Sequence, residues 1–193
     1  IGLKLARDVY GPFTRISLMP GYAYHHRLNA TWNLAGGIAL GITYDDLDES
    51  RLTVLNQQDP TYNNYMSAGN VRSLYLDGQV GALLYSPSYL IGYSINQIFM
   101  NSPYNGDVDL SEYRLRWHHT LSFGYYYSPL SFLNVAPYLN LRGVIGAPLA
   151  AELGVKAQVA DKVLAGFMYE HGEAIGGRIG FVIRKKLLVN YTY

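Results

Sequence analysis

The stretch that decides the fold is Arg114–Ser128, RLRWHHTLSFGYYYS, where two adjacent histidines follow a tryptophan and precede three consecutive tyrosines. Extended back to Glu112, its odd positions read Tyr113, Leu115, Trp117, His119, Leu121, Phe123, Tyr125 and Tyr127. The even positions read Glu112, Arg114, Arg116, His118, Thr120, Ser122, Gly124, Tyr126 and Ser128. A strand turns alternate side chains to opposite faces, so this period of two predicts a strand with one apolar face and one polar face. His118 and His119 therefore point apart and cannot share a metal, and the same holds for His25 and His26.

The alternation recurs along the chain. Thr14–Leu28 sets Ile16, Leu18, Tyr22 and Tyr24 against Arg15, Ser17, His25 and Arg27. Thr31–Asp45 sets Trp32, Leu34, Ile38, Leu40, Ile42 and Tyr44 against small and hydroxyl residues. Further strands are predicted over Ser73–Leu84, Tyr89–Phe99, Leu133–Ile145, Leu149–Val159, Val163–His171, Ile175–Arg184 and Leu187–Tyr193, with a weaker one over Ile1–Asp8. The total is about 11 strands. No separate domain, linker or low-complexity segment stands out, so Ile1–Tyr193 reads as a single domain.

Composition then selects among all-β folds. Only 15% of the 193 residues are charged, against about a quarter in a soluble domain. Tyrosine and glycine are abundant, at 19 and 20 residues, cysteine is absent and the net charge is +1. That balance gives no electrostatic case for nucleic acid, and the missing cysteine removes disulfides and thiolate metal sites. A soluble sandwich or barrel needs an outward face rich in lysine and glutamate. Here the polar face is mainly glycine, serine, asparagine and threonine with scattered arginine. A transmembrane barrel reverses the order, with apolar side chains toward lipid, small and polar ones toward the lumen, and aromatics at both membrane edges. The expectation is a transmembrane antiparallel up-and-down β-barrel in a bacterial outer membrane; a soluble β fold is the competitor. Trp32, Tyr44, Trp117, Tyr125 and Tyr127 are the expected aromatic girdle.

Connections alternate in length. LNAT, SPS, SPLS, ADK and RKK are short and fall at one end, as periplasmic turns do. Asp45–Arg72 and Met100–Ser111 are long and fall at the other, which would be extracellular. Bacterial single-chain barrels have an even number of strands, so the odd count predicts strands beyond these residues. A chain opening on Ile1 reads likewise as processed or partial.

Several segments in collinear order resemble the PorP/SprF family of outer-membrane proteins in the type IX secretion and gliding machinery of Bacteroidota. They are IGLKLARDVYGPFTRISLMPGYAYHHRL, WNLAGGIALGI, the Asp59–Pro60 pair, GAPLAAELGVKAQVADKVLAGFMYEHGEAIGGRIGFVI and the closing LLVNYTY. The first is similar to the family segment IGxGxxxxxxGPxxxxxxxxxYAYHxxL. Lys4 departs from it at the second glycine, and His171 stands where the family usually has a basic residue. The resemblance implies that about two strands precede and about one follows, for about 14 in all. It also implies a role in exporting, anchoring or scaffolding secreted surface proteins. The partners would be other type IX components or the C-terminal domain of a secreted adhesin, with membrane lipid around the wall. No nucleic acid, cofactor or small-molecule substrate is expected.

Catalysis finds little support. His118 and Ser122 share a face but lie roughly 13 Å apart along a strand, too far for a dyad. His171 and Glu173 lie in a turn without further metal ligands, and the glycines of GEAIGGRIG precede no helix that would make a phosphate loop. The expected lumen-facing charged set is Arg15, Arg27, Arg114, Arg116, His118, Arg142, Glu152, Lys156, Glu170 and Arg178. Glu152 and Glu170 are expected to pair with Arg142, Lys156 or Arg178 across neighbouring strands as sheet stabilisers. The mildly basic face suits anions in a pore, an acidic plug or partner segment, or a purely structural role. The candidate partner surface is Asp45, Asp46, Arg51, Asp59, Tyr62, Tyr65, Tyr104 and Asp107 on the long loops. His119, on the apolar face between Trp117 and Leu121, completes it if that wall touches protein rather than lipid. Otherwise it sits near the interface. The competing function is a general porin or small-solute channel.

Overall fold

The computed structural model describes residues 1–48, 51, 72–100, 115–184 and 187–193. Among them there is no α-helix. The strands are β1 (Gly2–Tyr10), β2 (Phe13–Arg27), β3 (Asn33–Leu47), β4 (Arg72–Tyr85), β5 (Tyr89–Asn96), β6 (His118–Tyr125), β7 (Tyr127–Leu130), β8 (Leu133–Val144), β9 (Ala150–Val159), β10 (Val163–Glu170), β11 (Ala174–Ile183) and β12 (Leu187–Thr192).

They form one sheet in sequence order, an antiparallel meander in which β6 and β7 both pair with β8. Gly124 faces Tyr138 and Tyr127 faces Val135, so the register runs unbroken from β6 into β7 and shifts only between Tyr127 and Leu130. These two strands are therefore one strand interrupted at Tyr126, whose N–H turns aside to Ser88 O at 2.7 Å. The alternation rule, which treats them as one, counts the same ladder.

Its predicted start at Glu112 lies outside the described residues; within them Leu115–Trp117 is irregular and pairing begins at His118. The neighbouring β5 stops at Asn96, and Gln97 then adopts a positive φ of 59°. Over Leu115–Trp117 the alternation of the sequence continues without a ladder.

The strands make two compact units. One comprises Ile1–Ala23, Gly37–Val80 and Asn96–Trp117; the other comprises Tyr24–Gly36, Gly81–Ile95 and His118–Tyr193. In the first, burial is inverted relative to a soluble protein. Leu74 and Leu76 are 62% and 64% exposed, whereas Ser73, Tyr75 and Asp77 between them are 5%, 8% and 8% exposed. On β3, Thr43 is 1% exposed while Leu40 and Ile42 lie open. Water is a poor solvent for such a leucine face. Close approach on the polar side has a specific cause at Gly41, where a Cβ would stand 2.0 Å from Leu18 O. In the second unit the Val159–Lys162 turn closes β9 onto β10 with Ala160 and Asp161 at φ 49° and 55° and a 3.0 Å bond from Lys162 N to Val159 O. Two positive φ values in a two-residue hairpin turn match the right-handed strand twist.

Candidate functional site

The polar face of each unit carries the chemistry. In the first unit Arg15 on β2 and Asp45 on β3 share that face. The guanidinium donates from Nε to Asp45 Oδ1 at 2.7 Å and from Nη2 to Oδ2 at 2.8 Å. Tyr75 on β4 donates its hydroxyl to the same Oδ2 at 3.0 Å, and Asp8 on β1 stands opposite Arg15 in the ladder. This is a fork-to-fork pair, the strongest geometry open to arginine and carboxylate. Asp46 points to the other face, where it accepts from Arg72 Nε at 2.8 Å and from the Tyr44 hydroxyl at 3.4 Å. Arg51 pairs with Asp48 at 3.1 Å. Asp45, Asp46 and Arg51 thus form intramolecular ion pairs at the base of the long segment that separates β3 from β4.

In the second unit the register of β8 to β12 lays the polar-face residues in rows. One row holds Asn140, Glu152 and Glu170. The next holds Tyr138, Gly154, Met168 and Gly176, and the third holds Ala136, Lys156, Gly166, Arg178 and Thr192. Glu152 and Glu170 face each other directly, an unfavourable arrangement by itself. Arg142 resolves it by reaching diagonally from β8, with Nη2 3.6 Å from Glu152 Oε2 and bonded to Glu170 Oε1. Asn140 Nδ2 adds a 3.3 Å bond to Glu152. Of the three cations in reach by sequence, Arg142 takes both carboxylates.

Lys156 and Arg178 engage otherwise. The Lys156 ammonium lies 4.5 Å from the centroid of the Tyr138 ring, a cation–π contact. Arg178 Nε donates to Thr192 Oγ1 at 3.1 Å. Tyr138 lies across its row because Gly154 has no side chain: a Cβ there would come within 2.5 Å of the ring. Elsewhere in this unit His25 Nδ1 and the Tyr85 hydroxyl share a 3.1 Å hydrogen bond, and Arg27 donates to Asn29 O at 3.0 Å. His118 opens β6 opposite Val144, and His119 faces Gly143 from the other side of the strand.

Several aromatic residues meet one another or a backbone carbonyl. Trp32 stacks toward Tyr89 at 6.3 Å, Tyr89 meets Tyr125 at 5.1 Å, and Tyr125 stacks on Tyr127 at 6.4 Å. Trp117 donates its indole N–H to Ile98 O at 3.0 Å. His119 shares a 2.8 Å hydrogen bond through Nδ1 with the Tyr93 hydroxyl, with the rings stacked at 6.1 Å. That bond gives Nδ1 of an imidazole on an apolar face a partner, where an orphaned polar atom would be costly.

Arg116 lies exposed in the irregular segment before β6. Arg114, Asp59, Tyr62, Tyr65, Tyr104 and Asp107 lie outside the described residues. Sequence reasoning missed Tyr75 as the second donor to Asp45 and Tyr93 as the partner of His119. The parity of Ser73, Tyr75 and Asp77 was the available signal for the first. The second joins residues on adjacent strands of the meander, and their offset along those strands is not written in either one.

An inverted two-faced meander of this kind is what a membrane-embedded β wall requires. Residues 1–193 match the family of type IX secretion system membrane proteins PorP/SprF. The chain belongs to that family. No curated relative and no solved structure matches it. As a PorP/SprF protein it is a membrane component of type IX secretion, and its fold is the antiparallel up-and-down wall of a transmembrane β-barrel. Such walls put apolar side chains against lipid at every second position, and the exposed leucines of β3 and β4 follow the same alternation.

Proposed function

We propose that this protein is a non-catalytic outer-membrane component that exports, anchors or scaffolds secreted surface proteins, including those used in gliding. The observation that carries the proposal is the family match over residues 1–193. The inverted burial of the strands supports an outer-membrane setting, because outer-membrane barrels span with strands of this pattern. Polar faces would line the lumen, the long connections Asp45–Arg72 and Met100–Ser111 would face outward, and the short turns would face the periplasm. The partners are other type IX components or the C-terminal domain of a secreted adhesin, held through the outward segments. Asp46, Arg51, Asp59, Tyr62, Tyr65, Tyr104 and Asp107 mix aromatic and polar groups suited to protein contact.

The test is affinity purification of the full-length protein from native membranes in detergent, followed by mass spectrometry. Co-purification of a large secreted protein or of type IX components in near-equal amount is the expected result. A barrel that emerges alone contradicts the proposal. The competing small-solute channel draws on the cations of the third row, Lys156 and Arg178; anion-selective conductance in a planar bilayer with no partner bound would favour it.

A further inference from the structure

We propose that the row containing Lys156, Gly166 and Arg178 is a recognition site for the carboxylate of an acidic polypeptide segment, a reading that rests on the proposed role in handling secreted proteins. Lys156 and Arg178 both sit directly opposite Gly166, on the strands either side of it. A Cβ at Gly166 would touch both stems, at 3.7 Å from Lys156 Cγ and 3.7 Å from Arg178 Cβ. The glycine therefore leaves a notch between two cations. Their backbones are about 9.5 Å apart across two strand spacings; Lys156 now reaches toward Tyr138 on β8 and Arg178 toward Thr192 on β12, and both side chains are long enough to turn back onto one oxyanion.

Among the described residues neither cation has a carboxylate within ion-pair distance; their contacts are the Tyr138 ring and the Thr192 hydroxyl. The two carboxylates of this face are held by Arg142. Two like charges flanking a glycine repel, and an anion between them removes that repulsion. Arg178 keeps its terminal guanidinium nitrogens for such an anion, because its bond to Thr192 uses Nε.

The ligand class follows from the surroundings. Tyr138, Lys156, Gly166, Met168, Arg178 and Thr192 line one shallow open cleft. Apolar surface from Tyr138 and Met168 borders the cations, so a bare inorganic anion would leave it uncovered. A carboxylate carried on a peptide would neutralise the cations and cover that surface together.

The experiment uses the full-length protein in detergent. A short synthetic peptide rich in aspartate and glutamate is titrated calorimetrically, beside its asparagine and glutamine counterpart and inorganic phosphate. The acidic peptide is expected to bind, more weakly as salt is raised, and the neutral peptide not to. The Lys156→Gln/Arg178→Gln variant is expected to lose about tenfold or more in affinity, as removal of charged hydrogen-bond donors does. Lys156→Arg/Arg178→Lys, which keeps both charges, is expected to retain binding. Heat-modifiable gel migration verifies that each variant is folded. Equal binding of the neutral peptide, unchanged affinity in the folded double variant, or phosphate binding as tight as the acidic peptide's would each overturn the inference. If wild type and the double variant recover the same native partners, the proposed function stands and this site is not its contact. If wild type recovers none, that function fails while the titration still decides the site.

Discussion

Two rows of the same face, on the same strands, treat charge in opposite ways. The row with Glu152 and Glu170 is closed: both carboxylates are mostly buried, at 15% and 12% exposed, and one guanidinium bridges them. The row with Lys156 and Arg178, roughly 13 Å further along the strands, is open, with an aromatic ring and a hydroxyl as its contacts. The tyrosine row lies between them. The difference teaches that the charges of this wall are not a uniform lining. A bridge that cancels facing carboxylates holds the sheet together, whereas cations facing across a glycine contribute little to holding it.

That reading can be broken by stability measurements in lipid vesicles with urea as denaturant. The largest effect is expected at the Arg15–Asp45–Tyr75 cluster of the other unit, where one carboxylate accepts both arginine nitrogens and a tyrosine hydroxyl. Asp45→Ala leaves a partly buried Arg15 without its fork partner and should cost about 3 kcal/mol, the upper end for losing charged hydrogen bonds. A loss below about 0.5 kcal/mol, ordinary for a surface site, would mean that the cluster is not structural. Arg142→Gln comes next, at about 2 kcal/mol, because it leaves two carboxylates facing each other. Adding Glu170→Gln should recover part of that, with a coupling of about 1 kcal/mol in a double-mutant cycle; strict additivity would deny the bridge.

Gly154→Ala is expected to be milder, about 1 kcal/mol, because the Tyr138 ring that it displaces is the far end of a movable side chain. Lys156→Gln should fall within about 0.5 kcal/mol, as a surface change does. A loss as large as that of Arg142→Gln would erase the distinction between the rows and weaken the case for a ligand there.

The faces of this molecule are legible in the alternation of its sequence. Ser73, Tyr75 and Asp77 alternate with Leu74 and Leu76 in the sequence, and the fold keeps them on opposite sides. The same holds for His118 and His119. What was not legible is contact between strands. Asp45 reads as the start of an exposed loop, yet its parity and the neighbouring β2 and β4 bring it to Arg15 and Tyr75. His119 reads as an isolated polar residue on an apolar face until Tyr93 arrives beside it.

By itself, then, the sequence determined strands, faces and family, because alternation is a local property written every two residues and motif order is carried by the chain alone. Only the tertiary structure decided which charges meet. Three cations were available to two glutamates, and the choice of Arg142 over Lys156 and Arg178 depends on the stagger between β8, β9, β10 and β11. A shift of two residues in one hairpin would preserve every face and exchange every partner, since side chains alternate with period two.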